Sequence, residues 1–183
     1  MLTEEQGRQL LELARNSIKS YFSGEEIDLK DYKQFNKKQG VFVTLNKNNE
    51  LRGCIGFPYP TQELYRAVFD AARAAAFEDP RFPKLEQDEL KDIKIDISVL
   101  TVPEEITAQP EDIPKDIEIG KDGLIVKSNH GSGLLLPQVF TEYKCTQEQA
   151  LQMTCQKAGL KTDAWKDESN KILKFQAQVF KEK

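Results

Sequence analysis

Leu10, Leu13, Ala14, Ile18 and Tyr21 recur at helical spacing behind a Thr3–Gln6 capping pair, and Ser23-Gly24 closes the run. The period then changes. "VFVTL" at 41–45 is β-branched and aromatic, "NKNNE" is a turn because Asn tolerates left-handed backbone, and "LRGCIG" returns as the second strand of a hairpin. A second helix is predicted from Thr61, with Leu64, Val68, Ala71, Ala72 and Ala75 on one face, ending at Asp79-Pro80. "IKIDISVL" has a clean period of two, with Ile93, Ile95, Ile97 and Val99 on one side.

Beyond Leu100 the pattern is more broken. "TVPEEITAQPEDIPKD" reads as an ordered loop with a helical turn. "IEI", "LIVK" and "LLL" read as short strands separated by the turns "GKDG" and "SNHGSG". Thr146 and Gln149 form a second capping pair, and the helix they start buries Leu151, Cys155 and Ala158 before stopping at Gly159. The last segment reads as a strand with Leu173, Phe175, Ala177 and Val179 on one face. Strands joined by short turns, with helices between groups of them, predict an α+β fold of mainly antiparallel sheet, flanking helices and a smaller lobe.

Composition narrows the function classes. The chain has 183 residues, enough to bury a real core. Its net charge of −4 argues against a nucleic-acid binder, which needs a basic field to neutralise phosphates. No apolar run reaches the ~20 residues of a membrane helix, and "MLTEEQGRQL" does not read as a secretion signal, so a cytoplasmic protein with no membrane partner is expected. Cys54, Cys145 and Cys155 are odd in number, none has CxxC spacing, and His130 is the only histidine, so no zinc site is expected and no metal ligands are assigned, although the plentiful Asp and Glu leave an oxygen-ligand site open.

Seven segments, "LRGCIGFPYP", "DPRFPKL", "IDISVLTVPE", "GLIV", "GLLLPQV", "QKAGL" and "FQAQVF", occur in an order that resembles the AMMECR family, named for the chromosomal region of Alport syndrome, midface hypoplasia and elliptocytosis. The resemblance runs over nearly the whole chain. It implies a single domain over 1–183, two lobes around a cleft, and signature residues lining that cleft. Related domains occur fused to or beside Memo-like and radical-SAM proteins, which the resemblance offers as partners. The cofactor, if there is one, is left unknown by the resemblance. Cys145 stands where a bulky residue is expected, so no role is carried onto it.

The candidate chemistry centres on Cys54. On a regular strand Arg52, Cys54 and Gly56 share one face, with Arg52 and Cys54 roughly 7 Å apart along the backbone. A guanidinium there lowers a thiol pKa. Gly53 and Gly56 keep the strand open, leaving space above that face for a ligand. Against this stands a small, buried, inert cysteine. Asp79, Arg81 and Phe82 lie in a backbone stiffened by Pro80 and Pro83, which suits either an anion site on Arg81 or an internal Asp79–Arg81 ion pair. Gln138 and Glu142 follow a strand end, at a cleft or as ordinary helix polarity. "SNHGSG" reads as a hairpin turn, with an anion nest as the alternative. The expectation is an enzyme or enzyme partner that binds an unknown small anionic molecule through Arg52, Gly53, Gly56, Asp79, Arg81, Phe82, Gln138 and Glu142, with Cys54 contacting or attacking it. A protein-binding adaptor without catalysis is the alternative, and nucleic-acid binding ranks third.

Overall fold

A computed structural model describes residues 1–182. The chain divides into two compact units, Met1–Val102 together with the C-terminal residues from Gln178, and Pro103–Ala177.

In the first unit, helix α1 (Glu4–Ser23) begins at the expected Thr3–Gln6 capping box and ends on Gly24, whose φ of 71° is left-handed. A short 3-10 turn, Leu29–Phe35, follows. Strands β1 (Val41–Lys47) and β2 (Glu50–Phe57) form the expected hairpin. Asn48 and Asn49 both have positive φ, 55° and 66°, the conformation a tight two-residue hairpin turn requires. Helix α2 (Leu64–Phe77) starts three residues later than Thr61. Glu63 makes an isolated antiparallel bridge with Lys38, and Leu64 N–H donates to the Lys37 carbonyl, so Glu63 is held extended and the helix begins after it. After the loop at 78–86 and a 3-10 turn, Gln87–Lys91, comes strand β3 (Ile93–Leu100).

β1 lies between β2 and β3 and is antiparallel to both. Its Val41, Val43 and Leu45 share a face with Ile93, Ile95, Ile97 and Val99 of β3, and all are buried with Leu10, Leu13, Ala14 and Ile18 of α1 and Val68, Ala71 and Ala75 of α2. The other face carries Phe42, Thr44, Asn46, Cys54, Gly56, Asp96 and Ser98, because directly paired residues point the same way.

The second unit holds strands β4 (Glu104–Glu105), β5 (Asp122–Lys127) and β6 (Ser132–Leu135), helices α3 (Pro137–Glu142) and α4 (Gln147–Lys157), and the first part of β7 (Lys171–Lys181). β5 pairs antiparallel with β6 and β7, and β4 with β7. Its core is built on Leu124, Val126, Phe140, Leu151, Cys155, Trp165 and Ile172. The predicted loop contains its helical turn, Ile113–Asp116. Ile117–Ile119 is not a strand: Lys121 and Asp122 N–H groups both donate to the Glu118 carbonyl, and Asp122 Oδ2 accepts from Glu118 N–H at 2.9 Å, which closes a turn.

The single apolar face expected for β7 is also corrected. Phe175 is buried, but so are Ile172 and Phe180 of the opposite parity, and Val179 is exposed. The strand serves two cores. Ile172 belongs to the second, while Phe180 lies in the first, over Gly7, where any Cβ would meet its ring at 2.0 Å. The fold is α+β, with antiparallel strand pairs and helices packed on them.

Candidate functional site

The β1–β2 register slips between Leu45 and Asn46: Leu45 pairs with Gly53 and Asn46 with Leu51, so Arg52 has no partner on β1. This bulge interrupts the simple alternation that places Arg52 beside Cys54. Arg52 reaches Glu89 instead, Nε to Oε1 at 3.1 Å and Nη2 to Oε2 at 2.9 Å, and its Nη1 donates to the Pro83 carbonyl at 2.9 Å. Lys47 Nζ joins the same carboxylate at 2.9 Å. The Arg52 guanidinium beside Glu89 holds that carboxyl at about 2, despite its burial. Arg52 thus ties β2 to the loop at 83–89.

Gly53 lies on the helix-facing side, where a Cβ would stand 2.2 Å from the Ala75 carbonyl oxygen. Its lack of a side chain lets α2 lie directly on the strand. Gly56 lies on the other face, but the space above it is not open as expected. Phe42, its direct partner on β1, covers it, and a Cβ on Gly56 would meet that ring at 2.5 Å. An aromatic ring laid over a cross-strand glycine fills the gap the glycine leaves.

Cys54 is half-buried between these glycines, with Sγ 3.2 Å from Thr44 Oγ1. Its backbone N–H and C=O point away from β1, and the "DPRFP" loop meets both. Asp79 Oδ2 accepts from Cys54 N–H at 2.9 Å, and Arg81 Nη2 donates to the Cys54 carbonyl at 3.2 Å. The two side chains also bind each other, Nε to Oδ1 at 2.9 Å and Nη2 to Oδ2 at 2.7 Å, while Arg81 N–H donates to Oδ1 at 3.1 Å. Asp79 is buried and has four hydrogen bonds for its two oxygens. Arg81 beside it, then the Cys54 and Arg81 backbone N–H groups, hold its carboxyl well below the usual range against the pull of burial.

The Arg81 side chain remains 52% exposed, with its guanidinium 5.5 Å from the centre of the Phe82 ring. Its pKa is raised chiefly by Asp79, with a smaller contribution from Cys54. The guanidinium that reaches Cys54 is that of Arg81, and it meets the backbone carbonyl. The internal Asp79–Arg81 pair exists, and it leaves half of the arginine open to solvent.

Gln138 and Glu142 belong to the second unit. Pro137 occupies the first turn of α3, Gln138 follows it half-buried, and Glu142 is the exposed last residue. "SNHGSG" makes the expected hairpin turn between β5 and β6. Ser128 Oγ accepts from the N–H groups of His130 and Gly131 at 3.0 and 3.1 Å, so a side chain of the turn itself takes the donors an anion nest would offer. Tyr59 is half-buried. Cys145 Sγ lies 3.3 Å from Met153 Sδ, Cys155 is fully buried, and no disulfide joins the three cysteines. No helix among the described residues is long and apolar enough to cross a membrane.

Thr44, Glu89 and Asp96 did not stand out in the sequence. Thr44 and Asp96 had a signal: each interrupts an apolar run at the alternate positions of its strand, which assigns it to the face away from the core. Glu89 had none, because its role depends on where a loop returns.

The whole-chain comparisons agree with this architecture. The AMMECR1 family matches residues 11–180. A protein of Methanosarcina barkeri is 46% identical over 189 residues, covering 100% of this chain and 93% of its own. One of Pyrococcus furiosus is 47% identical over 189 residues, covering 99% and 90%. The crystal structure of an uncharacterised protein from Pyrococcus horikoshii superposes with a TM-score of 0.94 at 45% identity, covering 100% of this chain and 94% of that one. The chain belongs to the AMMECR1 family.

Proposed function

We propose that the chain binds a small anionic molecule against the Cys54–Arg81 face of its first unit, as an enzyme or as the ligand-binding partner of one. The observation that carries this reading is the state of Arg81. Asp79 fixes its guanidinium through Nε and Nη2, yet the side chain is 52% exposed while Nη2 reaches the backbone carbonyl of the half-buried Cys54. A pre-positioned planar fork favours carboxylate or phosphate over a diffuse surface charge. In this reading Arg81 and Cys54 touch the ligand, Phe82 supports the guanidinium, and Asp79 orients it. Arg52, Gly53 and Gly56 build the strand that carries the thiol.

The test is affinity capture of small molecules from a cell extract, read by mass spectrometry, with wild-type protein and Arg81→Ala at matched folded fraction. Inorganic phosphate is run in parallel as a competitor. An anionic species retained by the wild type, displaced by phosphate and lost in Arg81→Ala is the expected result. Retention of no anion, or equal retention by the variant, overturns the reading.

A further inference from the structure

Thr44 pairs with Cys54 on one side and with Asp96 on the other. A thiol, a hydroxyl and a carboxylate therefore make one row across three strands, on the face away from the helices. Direct partners on antiparallel strands share a face with Cβ atoms about 5 Å apart. The thiol end of the row is closed by the 3.2 Å contact between Cys54 Sγ and Thr44 Oγ1. At the other end Asp96 Oδ2 accepts from Asn46 Nδ2 at 3.3 Å and lies 3.6 Å from Lys181 Nζ.

This carboxylate is not a mere surface charge. Its side chain is 21% exposed, and Lys181, which faces it, is 69% exposed. Asp96 has nothing like the fourfold set of partners that Asp79 has. Burial pushes its carboxyl up from the ordinary value, against Lys181 and Asn46, and Glu182 adds to the push.

We infer that Asp96 is a positioning residue for Cys54: across Thr44, its carboxylate opposes Arg81 in setting the charge on the sulfur. The inference rests on the reading that Cys54 and Arg81 form a ligand site. Two strand spacings separate Asp96 from Cys54 at the backbone, about 9.5 Å. A carboxylate at that range in a partly buried setting disfavours a thiolate, whereas Arg81 favours one. The Thr44 hydroxyl has one proton. It can donate to a thiolate, or it can accept from the thiol and turn its own proton toward Asp96. The charged and titratable groups around the row are Arg81 and Asp79 from the loop after α2, paired with each other and both bound to the Cys54 backbone, Asp96 from β3, and Lys181 and Glu182 from the C-terminal end, with Asn46 as a neutral donor from β1; Asp79 offsets part of the Arg81 charge and is common to every variant compared below.

The site acquires a selectivity from this arrangement. A ligand that brings a hydrogen-bond donor or a cationic group to Asp96 removes the carboxylate's opposition and frees the sulfur to ionise. A ligand that is only an anion, seated on Arg81, does the reverse. The class that best activates the thiol carries an anionic group at one end and a hydroxyl or ammonium group at the other.

The experiment follows alkylation of Cys54 by iodoacetamide against pH on the intact protein, resolved by mass spectrometry of the peptide that contains it. Asp96→Asn keeps the shape and removes the charge, and should lower the midpoint by about half a unit or more. Thr44→Val should raise it, and Thr44→Ser should restore it. Lys181→Met, at an exposed position, should raise it without affecting folding, so the sign pattern survives even if Asp96→Asn folds poorly. If Arg81→Ala shifts the midpoint while folded Asp96→Asn leaves it in place, this inference fails and the ligand-site reading stands. A Cys54 that never alkylates in the folded protein overturns this inference and leaves the anion site to be decided by the capture experiment on Arg81→Ala.

Discussion

Asp79 Oδ2 lies 2.9 Å from the backbone nitrogen of Cys54 and 2.7 Å from Nη2 of Arg81, so one oxygen joins a strand to a loop 25 residues further along. Its burial makes the joint strong and brittle at once, because removing a partner leaves an uncompensated group. Asp79→Asn keeps the volume but presents an amide where two donors converge. It should cost about 3 kcal/mol in urea unfolding and speed amide exchange at Cys54. Unchanged exchange at Cys54 would mean that this oxygen does not hold the strand.

Arg52 gives a second test of the same loop. Its side chain is 13% exposed and bonded to Glu89 through two nitrogens. Arg52→Ala should destabilise by about 3 kcal/mol, and Arg52→Lys should recover little, since an ammonium cannot reproduce the planar fork. Thermal unfolding of the two variants side by side decides it.

Acid stability follows from the depressed carboxyls. Glu89 is held at about 2 in the folded chain, against an ordinary 4.5. Its contribution is therefore complete above pH 4.5 and is lost as pH falls toward 2. The shift corresponds to at most roughly 3 kcal/mol. Asp79, also depressed, acts with the same sign. Urea midpoints between pH 6 and pH 2.5 should fall steeply in the wild type and less steeply in Glu89→Gln.

Gly53→Ala probes the closeness of α2. The alanine Cβ would sit 2.2 Å from the Ala75 carbonyl oxygen, which is backbone and cannot swing away. A loss of about 2–3 kcal/mol is expected, as for overpacked interiors. A fully stable variant would show that the helix can lift off the strand at little cost.

Asn49 should respond in the opposite direction. Its φ of 66° is tolerated by asparagine but adopted freely by glycine. Asn49→Gly should raise stability by up to about 1 kcal/mol, measured as an increase in melting temperature.

The legible part of the chain was the part with local causes. Thr3 with Gln6, Thr146 with Gln149, Gly24 and Gly159 mark helix ends through contacts within a few residues, and all four do so in the structure. Ile93–Val99 alternate because one face is buried. What sequence did not reveal depends on distant returns of the chain. Arg52 is diverted by a bulge and by Glu89, 37 residues away. Phe42 covers Gly56 from the neighbouring strand. Residues 61–63 stay outside the helix because Lys38 pairs with Glu63. At the candidate site the "DPRFP" loop was readable as stiff and charged, but its meeting point on Cys54 was not, because that needs the fold.

The side-chain clamp at Cys54 has a further consequence for the chain in crowded solution. β2 ends the row of strands in the first unit, and such a strand offers bare N–H and C=O groups to any other extended chain. Here Asp79 and Arg81 already occupy those groups at Cys54, a bulge distorts the strand at Arg52, and Pro58 and Pro60 follow its end. Three separate obstacles thus stand against sheet-to-sheet association on that edge. The loop that presents Arg81 to solvent is at the same time a barrier to aggregation.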